Sequence, residues 1–252
     1  MTRLLLLGGT SDAAALARLV ADAGLDAVYS YAGRTAAPAA QPLPLRTGGF
    51  GGIEGLAAWL AAERITHVID ATHPFAAGMS RNAVTACAAR GLPLLALERP
   101  GWREAPGDRW IRVPDLEAAA RALPETPARV FLGIGRQQAE IFACRAQHHY
   151  LLRRVDPGPP PPGLPDVGQI VARGPFDPEA ETRLLAAHRI THVVSKDSGG
   201  TGAVAKLTAA RRLGLPVILA ERPAIPARET RADPQAAMDW LEAHGAGTPR
   251  GV

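Results

Sequence analysis

The chain repeats itself. Arg64-Ile65-Thr66-His67-Val68 returns as Arg189-Ile190-Thr191-His192-Val193, and Gly91-Leu92-Pro93-Leu94-Leu95-Ala96-Leu97-Glu98-Arg99-Pro100 returns as Gly214-Leu215-Pro216-Val217-Ile218-Leu219-Ala220-Glu221-Arg222-Pro223. Arg3-Leu4-Leu5-Leu6-Leu7-Gly8 is answered by Arg129-Val130-Phe131-Leu132-Gly133, and Asp115, which opens a helical stretch, by Asp233. Each separation is close to half of the 252 residues, and the small drift between them is of a size that loops absorb. The period far exceeds the ~20–50 residues of a solenoid repeat. The duplication therefore predicts two similar domains, 1–125 and 126–252.

Within each half, strand and helix signals alternate. Arg3–Leu7 is a short apolar run stopped by Gly8-Gly9, and Leu16, Leu19, Val20 and Ala23 then recur at helical spacing up to Gly24. Ala27–Tyr31, His67–Ala71, Leu94–Leu97 and Trp110–Val113 read as further strands. Leu56, Trp59 and Leu60 mark a second helix, Met79, Ala83, Ala86 and Cys87 a third, and Asp115–Leu123 a fourth. The second half repeats the order, with a Pro-rich loop at Pro157–Pro165 where the first has Gly33–Pro42. Short apolar strands alternating with helices imply parallel sheets covered on both faces. The expected fold is α/β, two similar Rossmann-like domains with parallel sheets and a cleft between them. Each half ends in a strand and helix, Trp110–Leu123 and Glu229–His244. Because the halves are alike and backbone pairing tolerates sequence change, the terminal strand of one domain is expected to be able to join the sheet of the other.

Composition narrows the function. No apolar run approaches the ~18 residues of a membrane span. The four leucines Leu4–Leu7 fall short of a secretory core of about 7–15 residues. The expectation is a soluble cytoplasmic protein without a membrane partner. The 2 cysteines, Cys87 and Cys144, suggest buried small hydrophobes in a reducing compartment. His148-His149 lacks a carboxylate or cysteine at ligand spacing, so no metal is expected. Basic residues number 28 against 24 acidic ones, and Lys196 and Lys206 alone are lysines. The arginines are scattered and aromatics are only 5%, whereas a nucleic-acid surface clusters both. The excess of positive charge suits a small polyanionic ligand rather than nucleic acid.

In parallel α/β sheets ligands bind beyond the carboxyl ends of the strands. Gly8-Gly9-Thr10-Ser11 lies at the first such end and is read either as a pyrophosphate-binding turn leading into a helix N-terminus or as a plain tight turn with Ser11 as N-cap. Gly33-Arg34-Thr35 follows the second strand, where an arginine in place of an acid either matches the 2′-phosphate of NADPH or is a plain surface residue. Thr47-Gly48-Gly49-Phe50-Gly51-Gly52 is a phosphate cradle, a mobile flap or a flexible loop. Thr72-His73-Pro74-Phe75 ends a central strand, where His73 would donate a proton or orient a nicotinamide, or be structural. After the shared Arg-Ile-Thr-His-Val the second copy diverges into Ser195-Lys196-Asp197-Ser198-Gly199-Gly200-Thr201-Gly202. Lys196 there offers a compact cation and a proton, or a turn bridged to Asp197. Arg136, Arg153, Arg154 and Arg173 at neighbouring ends would form a cationic wall or be individually solvated, and Lys206, inside the next helix, is expected at the surface.

At these residues the sequence resembles the precorrin-6A reductase family of cobalamin biosynthesis. The likeness runs from Leu4–Ser11, Gly33-Arg34-Thr35, Gly48–Gly52, Ile69–Ala76 and Met79-Ser80-Arg81-Asn82-Ala83 to Glu98-Arg99-Pro100-Gly101-Trp102. It continues through Gly133-Ile134-Gly135-Arg136-Gln137, Arg173-Gly174-Pro175-Phe176 and Ser195–Gly202. The resemblance implies an NADPH-dependent enzyme that reduces a double bond of precorrin-6A to give precorrin-6B, or acts on the cobalt-containing macrocycle. Its cofactor residues would be Gly8, Gly9, Thr10, Ser11, Gly33, Arg34, Thr35, Gly49, Thr72, His73 and Pro74. Arg136, Arg153, Arg173, Lys196, Asp197, Ser198, Gly199 and Gly200 would hold the carboxylates of the tetrapyrrole. Lys196, Asp197, His73 or water would supply the proton. Transient contact with neighbouring pathway enzymes is a further expectation. The alternative is a non-catalytic carrier of tetrapyrrole or dinucleotide.

Overall fold

The computed structural model describes residues 2–33 and 39–246, so Arg34 and Thr35 of the expected cofactor set lie outside the described residues. In chain order the elements are β1 (Leu4–Leu7), α1 (Ser11–Asp22), β2 (Ala27–Tyr31), β3 (Leu45–Thr47), α2 (Gly52–Ala62), β4 (His67–Asp70), α3 (Ala77–Arg90) and β5 (Leu94–Leu97). Next come β6 (Trp110–Val113), α4 (Leu116–Arg121), β7 (Arg129–Gly133), a 3-10 helix (Arg136–Arg145), β8 (His149–Arg154) and β9 (Val167–Val171). The chain continues with α5 (Pro178–Ala187), β10 (His192–Lys196), α6 (Ala205–Arg212), β11 (Val217–Ala220), β12 (Glu229–Arg231) and α7 (Pro234–Ala243). The strands form two 6-stranded sheets of the same design, ordered β12-β5-β4-β1-β2-β3 and β6-β11-β10-β7-β8-β9. All their pairings are parallel.

The contacts divide the chain into two units, Met1–Pro100 with Ala224–Val252, and Gly101–Pro223. This differs from a cut between residues 125 and 126, because the last strand of each half pairs in the other half's sheet. Glu229 of β12 stands opposite Leu95 of β5, and the Glu98 N–H donates to the Arg231 carbonyl at 2.8 Å. Trp110 of β6 stands opposite Val217 of β11. The chain leaves each unit immediately after a copy of Glu-Arg-Pro, at Pro100 and Pro223. Proline has no N–H with which to continue a ladder.

In the first unit, β1 explains why four consecutive leucines are tolerated. Side chains alternate faces along a strand. Leu4 and Leu6 join the core built with α1 and α7, including Leu16, Val20, Trp240 and Leu241. Leu5 and Leu7 join the opposite core with Leu56, Leu60, Ala83 and Cys87 of α2 and α3. All four are buried, as a strand covered on both faces requires.

The repeated Arg-Ile-Thr-His-Val is a piece of scaffold. In the first unit the Ile65 N–H reaches back to Leu60 O at 2.9 Å and the Arg64 N–H to Ala61 O at 3.1 Å, the bonds of a Schellman helix end. Thr66 Oγ1 then accepts from the Arg3 N–H at 2.9 Å, pinning the start of β1. His67 Nδ1 lies 2.9 Å from that hydroxyl, and Nε2 faces the His244 carbonyl at 3.0 Å. A carbonyl only accepts, so Nε2 carries the proton and Nδ1 accepts from Thr66. In the second unit Ile190 bonds Leu185 O and Arg189 bonds Ala186 O, both at 2.9 Å. Thr191 accepts from the Arg129 N–H at 3.1 Å and His192 Nδ1 again lies 2.9 Å from the hydroxyl.

Three local readings change. The N-cap of α1 is Thr10, not Ser11: Thr10 Oγ1 accepts from the Ala13 N–H at 3.1 Å. After β7, the counterpart of β1, stands a 3-10 helix where the first half has α1. Cys87 is buried, and burial pushes its thiol up to about 12, but Cys144 is exposed. Among the described residues no helix is long and apolar enough to cross a membrane. No three His, Cys, Asp or Glu side chains converge there in a way that would hold a metal ion.

Candidate functional site

Each sheet has one place where the strand order reverses. In the first unit this lies between the ends of β1 and β4, and in the second between β7 and β10. A crevice outside the strand ends at such a point is where doubly wound sheets take ligands.

In the first unit the structure brings Gly8, Gly9, Thr10 and Ser11 together with Thr72, His73 and Pro74. Thr10 Oγ1 donates to the Ala71 carbonyl at 2.8 Å, tying the turn after β1 to the end of β4. The two glycines do different things. A Cβ on Gly8 would fall inside the Tyr29 ring, whereas Gly9 has φ 118° with open space around it. The Tyr29 hydroxyl accepts from the Gly9 N–H at 2.9 Å, and burial holds that phenol far above its ordinary pKa. As the first two residues of α1, Ser11 and Asp12 leave N–H groups with no intrahelical partner at the strand end. Asp70 closes β4: its Oδ1 accepts from the Thr72 N–H at 3.1 Å and the Thr72 hydroxyl at 2.6 Å. His73 Nδ1 accepts from the Phe75 N–H at 3.2 Å, so its proton sits on Nε2 when the ring is neutral.

A shallow, open groove lies here, lined by Thr10, Asp12, Thr72, Pro74, Leu97, Glu98 and Arg99. Arg99 crosses it to Asp12 at 3.0 Å and to the Ser11 hydroxyl at 3.3 Å. Reading the sequence did not single out Arg99, although the repeated Glu-Arg-Pro was a signal. Its counterpart Arg222 bonds the Asp197 carbonyl through Nε at 2.9 Å. Both copies thus reach from the fifth strand of the half to its switch point.

Gly33 and Gly49 are gathered beside β2 and β3. Gly33 has φ 74° and lies against Gly48, whose N–H donates to Tyr31 O at 2.9 Å. The glycine loop is organised by Arg46, which the sequence reading passed over. Its guanidinium donates to Gly48 O at 2.5 Å and Gly49 O at 2.7 Å and lies 3.7 Å from the Phe50 ring centroid. The strand β3 that carries it is three residues long and partly exposed, so it showed no apolar run.

In the second unit Lys196 ends β10 and donates to the Ile134 carbonyl at 2.8 Å, joining the ends of β7 and β10. Asp197 does not bridge to it. Its Oδ1 accepts from the Trp102 N–H at 2.9 Å and its Oδ2 from Arg112 at 3.2 Å. The indole Nε1–H of Trp102 donates to Gly200 O at 2.7 Å. Gly199 and Gly200 both have left-handed backbone, φ 65° and 67°, which lets the loop turn back beside buried Ser198. Arg136 and Arg173 are exposed at the ends of neighbouring elements.

Two basic residues stand elsewhere than expected. Arg153 is not part of an outward wall: its guanidinium is buried, bonded to both carboxylate oxygens of Glu181 at 2.6 and 2.8 Å and 4.1 Å from the Phe176 ring centroid. Arg154 is buried too, holding the Pro-rich loop through Asp156 O at 2.6 Å and Gly158 O at 2.9 Å. Lys206 is not at the surface but 5% exposed, with Nζ donating to Ala203 O at 2.7 Å and lying 4.9 Å from the Trp102 ring centroid. Its helix buries Ala209 and Ala210 as well, so Lys206 shares their apolar face at i+3 and i+4. That spacing was visible in the sequence.

A family model described as precorrin-6x reductase CbiJ/CobK matches residues 3–242. The chain is 60% identical over 252 residues to a precorrin-6A reductase of Rhodobacter capsulatus, covering 100% of both. It is 46% identical to one of Rhodococcus erythropolis, covering 96% of this chain and 98% of that one. A cobalt-precorrin-6A reductase of Priestia megaterium is 31% identical, over 88% of this chain and 91% of its own length. A solved structure titled CobK precorrin-6A reductase superposes with a TM-score of 0.95 at 60% identity, covering 100% of each chain.

Proposed function

The chain belongs to the precorrin-6x reductase family, and from that premise we propose that it reduces a double bond of precorrin-6A with NADPH, giving precorrin-6B. It is an oxidoreductase of cobalamin biosynthesis. The observation that carries the reading is the end-to-end likeness to the Rhodobacter capsulatus enzyme together with a glycine-lined switch point in each sheet. The relatives of higher identity are named for precorrin-6A rather than cobalt-precorrin-6A, which favours the former as substrate.

The residues of the first unit fit a dinucleotide. Gly9 leaves open space where a side chain would stand, and the N-terminus of α1 follows two residues later, a combination suited to a pyrophosphate. Arg34 and Thr35 are assigned to the 2′-phosphate on their sequence position after β2, and Gly33 and Gly49 to the backbone that passes beside it. Thr72, His73 and Pro74 would border the nicotinamide. NADPH supplies the hydride, and the protein's part is to orient and to exclude water.

In the second unit Lys196, Arg136 and Arg173, with Ser198, Gly199 and Gly200, are assigned to the macrocycle's carboxylates. Arg153 is removed from that set, because Glu181 already neutralises it inside the fold. Asp197 is assigned to shaping the loop through Trp102 and Arg112 rather than to giving a proton. Reduction of a double bond adds a hydride to one carbon and a proton to its neighbour. Lys196, an ammonium at the strand end, is assigned as the proton's source. Two unpaired thiols and the need for NADPH support a cytoplasmic setting.

The test is single-turnover reduction of precorrin-6A, followed by loss of the reduced-nicotinamide absorbance, with NADPH and NADH compared. Oxidation of NADPH only when the macrocycle is present is the expected result. Binding of both ligands without oxidation would turn the reading to a carrier.

A further inference from the structure

We propose that Lys206 is a positioning residue for the reductase reaction: its ammonium, set between the Ala203 carbonyl and the Trp102 ring, holds the loop 197–202 in the shape that receives the macrocycle, and does so only while protonated. The proposal rests on the reading that this loop binds the substrate.

Several bonds tie the loop, two of them at Asp197 from Arg112 and Arg222. Trp102 adds two more, through its N–H to Asp197 Oδ1 and its indole to Gly200 O. Lys206 holds the adjoining Ala203 carbonyl, and its ammonium faces the same indole ring. The path for the lysine is built into the sheet. At Gly133, the end of β7, an added Cβ would stand 3.0 Å from Lys206 Cδ and 3.1 Å from Cε. A side chain there would compete with the lysine stem for its route under the loop.

Two charged groups face the amine. Arg153 approaches from β8 and repels it, while Glu181 from α5 attracts it but is held by Arg153 through both oxygens. Asp197, at the end of β10, is turned to Trp102 and Arg112. Among the described residues no carboxylate is therefore dedicated to Lys206. Burial, reinforced by Arg153, pushes its amine down to about 7. Loss of the proton ends the attraction to the ring face and weakens the bond to Ala203. An apolar residue would fill this place at less cost in desolvation, so the ammonium is retained for what it holds.

The chain's two lysines make a direct test available. Protein carrying lysine labelled with carbon-13 at Cε gives two signals, told apart by Lys196→Arg, and the Trp102 indole N–H is identified by Trp102→Phe. The expected result is that the Lys206 signal and the Trp102 indole move together, with one midpoint near neutral pH. In Lys206→Met the indole should be flat over the same range, with KM for precorrin-6A raised severalfold and kcat little changed. A Lys206 signal that moves only in the ordinary lysine range, or an indole that does not follow it, overturns the proposal whatever the loop binds. Shared titration with an unchanged KM in Lys206→Met overturns the positioning role by a different route, because the loop would then not be the substrate's. Should Lys206→Met fail to fold, the wild-type titration still decides the link between amine and loop, and Lys206→Gln supplies the KM.

Discussion

Arg64 and Arg189 occupy the same place in the two units: each is the residue after a helix C-cap and each has left-handed backbone, φ 53° and 50°. An L-residue there costs about 1–2 kcal/mol relative to ordinary helical backbone, and glycine avoids most of that. Arg64→Gly and Arg189→Gly should each stabilise the protein by about 0.5–1 kcal/mol after the entropy of glycine is counted. Urea unfolding curves check this; a lower midpoint for both would mean that the arginine side chains matter more than the backbone.

Gly8 and Gly9 should fail in different ways. Gly8→Ala drives a methyl into the Tyr29 ring, an overpacking of about 1–3 kcal/mol that thermal melting should register. Gly9→Val has room but strained backbone, so it should abolish NADPH binding while circular dichroism stays native. Retained NADPH affinity in that variant would make the turn structural only.

The Arg153–Glu181 pair is buried on both sides, with side chains 9% and 5% exposed. Arg153→Met leaves buried Glu181 with only the Lys206 amine to offset its charge and should cost up to about 3–5 kcal/mol. The double replacement with Glu181→Met should recover most of that loss. Denaturant titration of the three variants distinguishes this from a ligand-binding role, which predicts a raised KM in a protein of unchanged stability.

Lys206 also sets a pH dependence. Its folded pKa is lowered below the ordinary lysine value, so between about 7 and 10.5 the unfolded chain binds the extra proton. Stability from this group therefore rises with pH across that window, and the burial penalty is full below it. Lys206→Met should be more stable than the wild type by up to a few kcal/mol near pH 6–7, with the gap closing toward pH 10. Melting temperatures measured against pH give the sign directly; a gap that widens upward would mean the amine is not desolvated.

Lys196→Ala should raise KM for precorrin-6A while NADPH affinity stays within about twofold, ~0.4 kcal/mol. Arg34→Ala should do the converse, weakening NADPH by ~1.5–3 kcal/mol and sparing NADH. Isothermal titration with each nucleotide separates the two. A fall in kcat should accompany the raised KM, as the assignment of Lys196 as proton source requires, and an unchanged kcat would remove that assignment.

Much of the fold is legible in the chain because the duplication exposes it. Strands such as Ala27–Tyr31 and Trp110–Val113 carry apolar runs, and the repeated Thr66-His67 and Thr191-His192 mark sheet-to-helix joints rather than chemistry. β3 was not visible, because three partly exposed residues carry no periodic signal. The division into units was blurred by the exchange, since sequence likeness follows ancestry of segments while pairing follows proximity. At the candidate site, spacing located Gly8–Ser11, Thr72–Pro74 and Lys196–Gly200 at the switch points. It could not say how each side chain's bonding capacity is used. Arg153 and Asp197 look like ligand-facing charges in the sequence, yet Glu181, Arg112 and Trp102 engage them from segments far away in the chain.

The placement of β12 and α7 in the first sheet imposes an order of events during synthesis. The second unit is one uninterrupted segment and can complete its sheet as soon as Pro223 is clear of the ribosome. The first unit, begun earlier, has to wait for Trp240 and Leu241 to cover the face of α1 and for Glu229–Arg231 to close the edge at β5. At about 5–20 residues per second that edge stays open for roughly 7–27 s after β5 emerges. The domain translated first is thus the one finished last, and a message cut short before Glu229 would release a chain with its second domain built and its first one gaping.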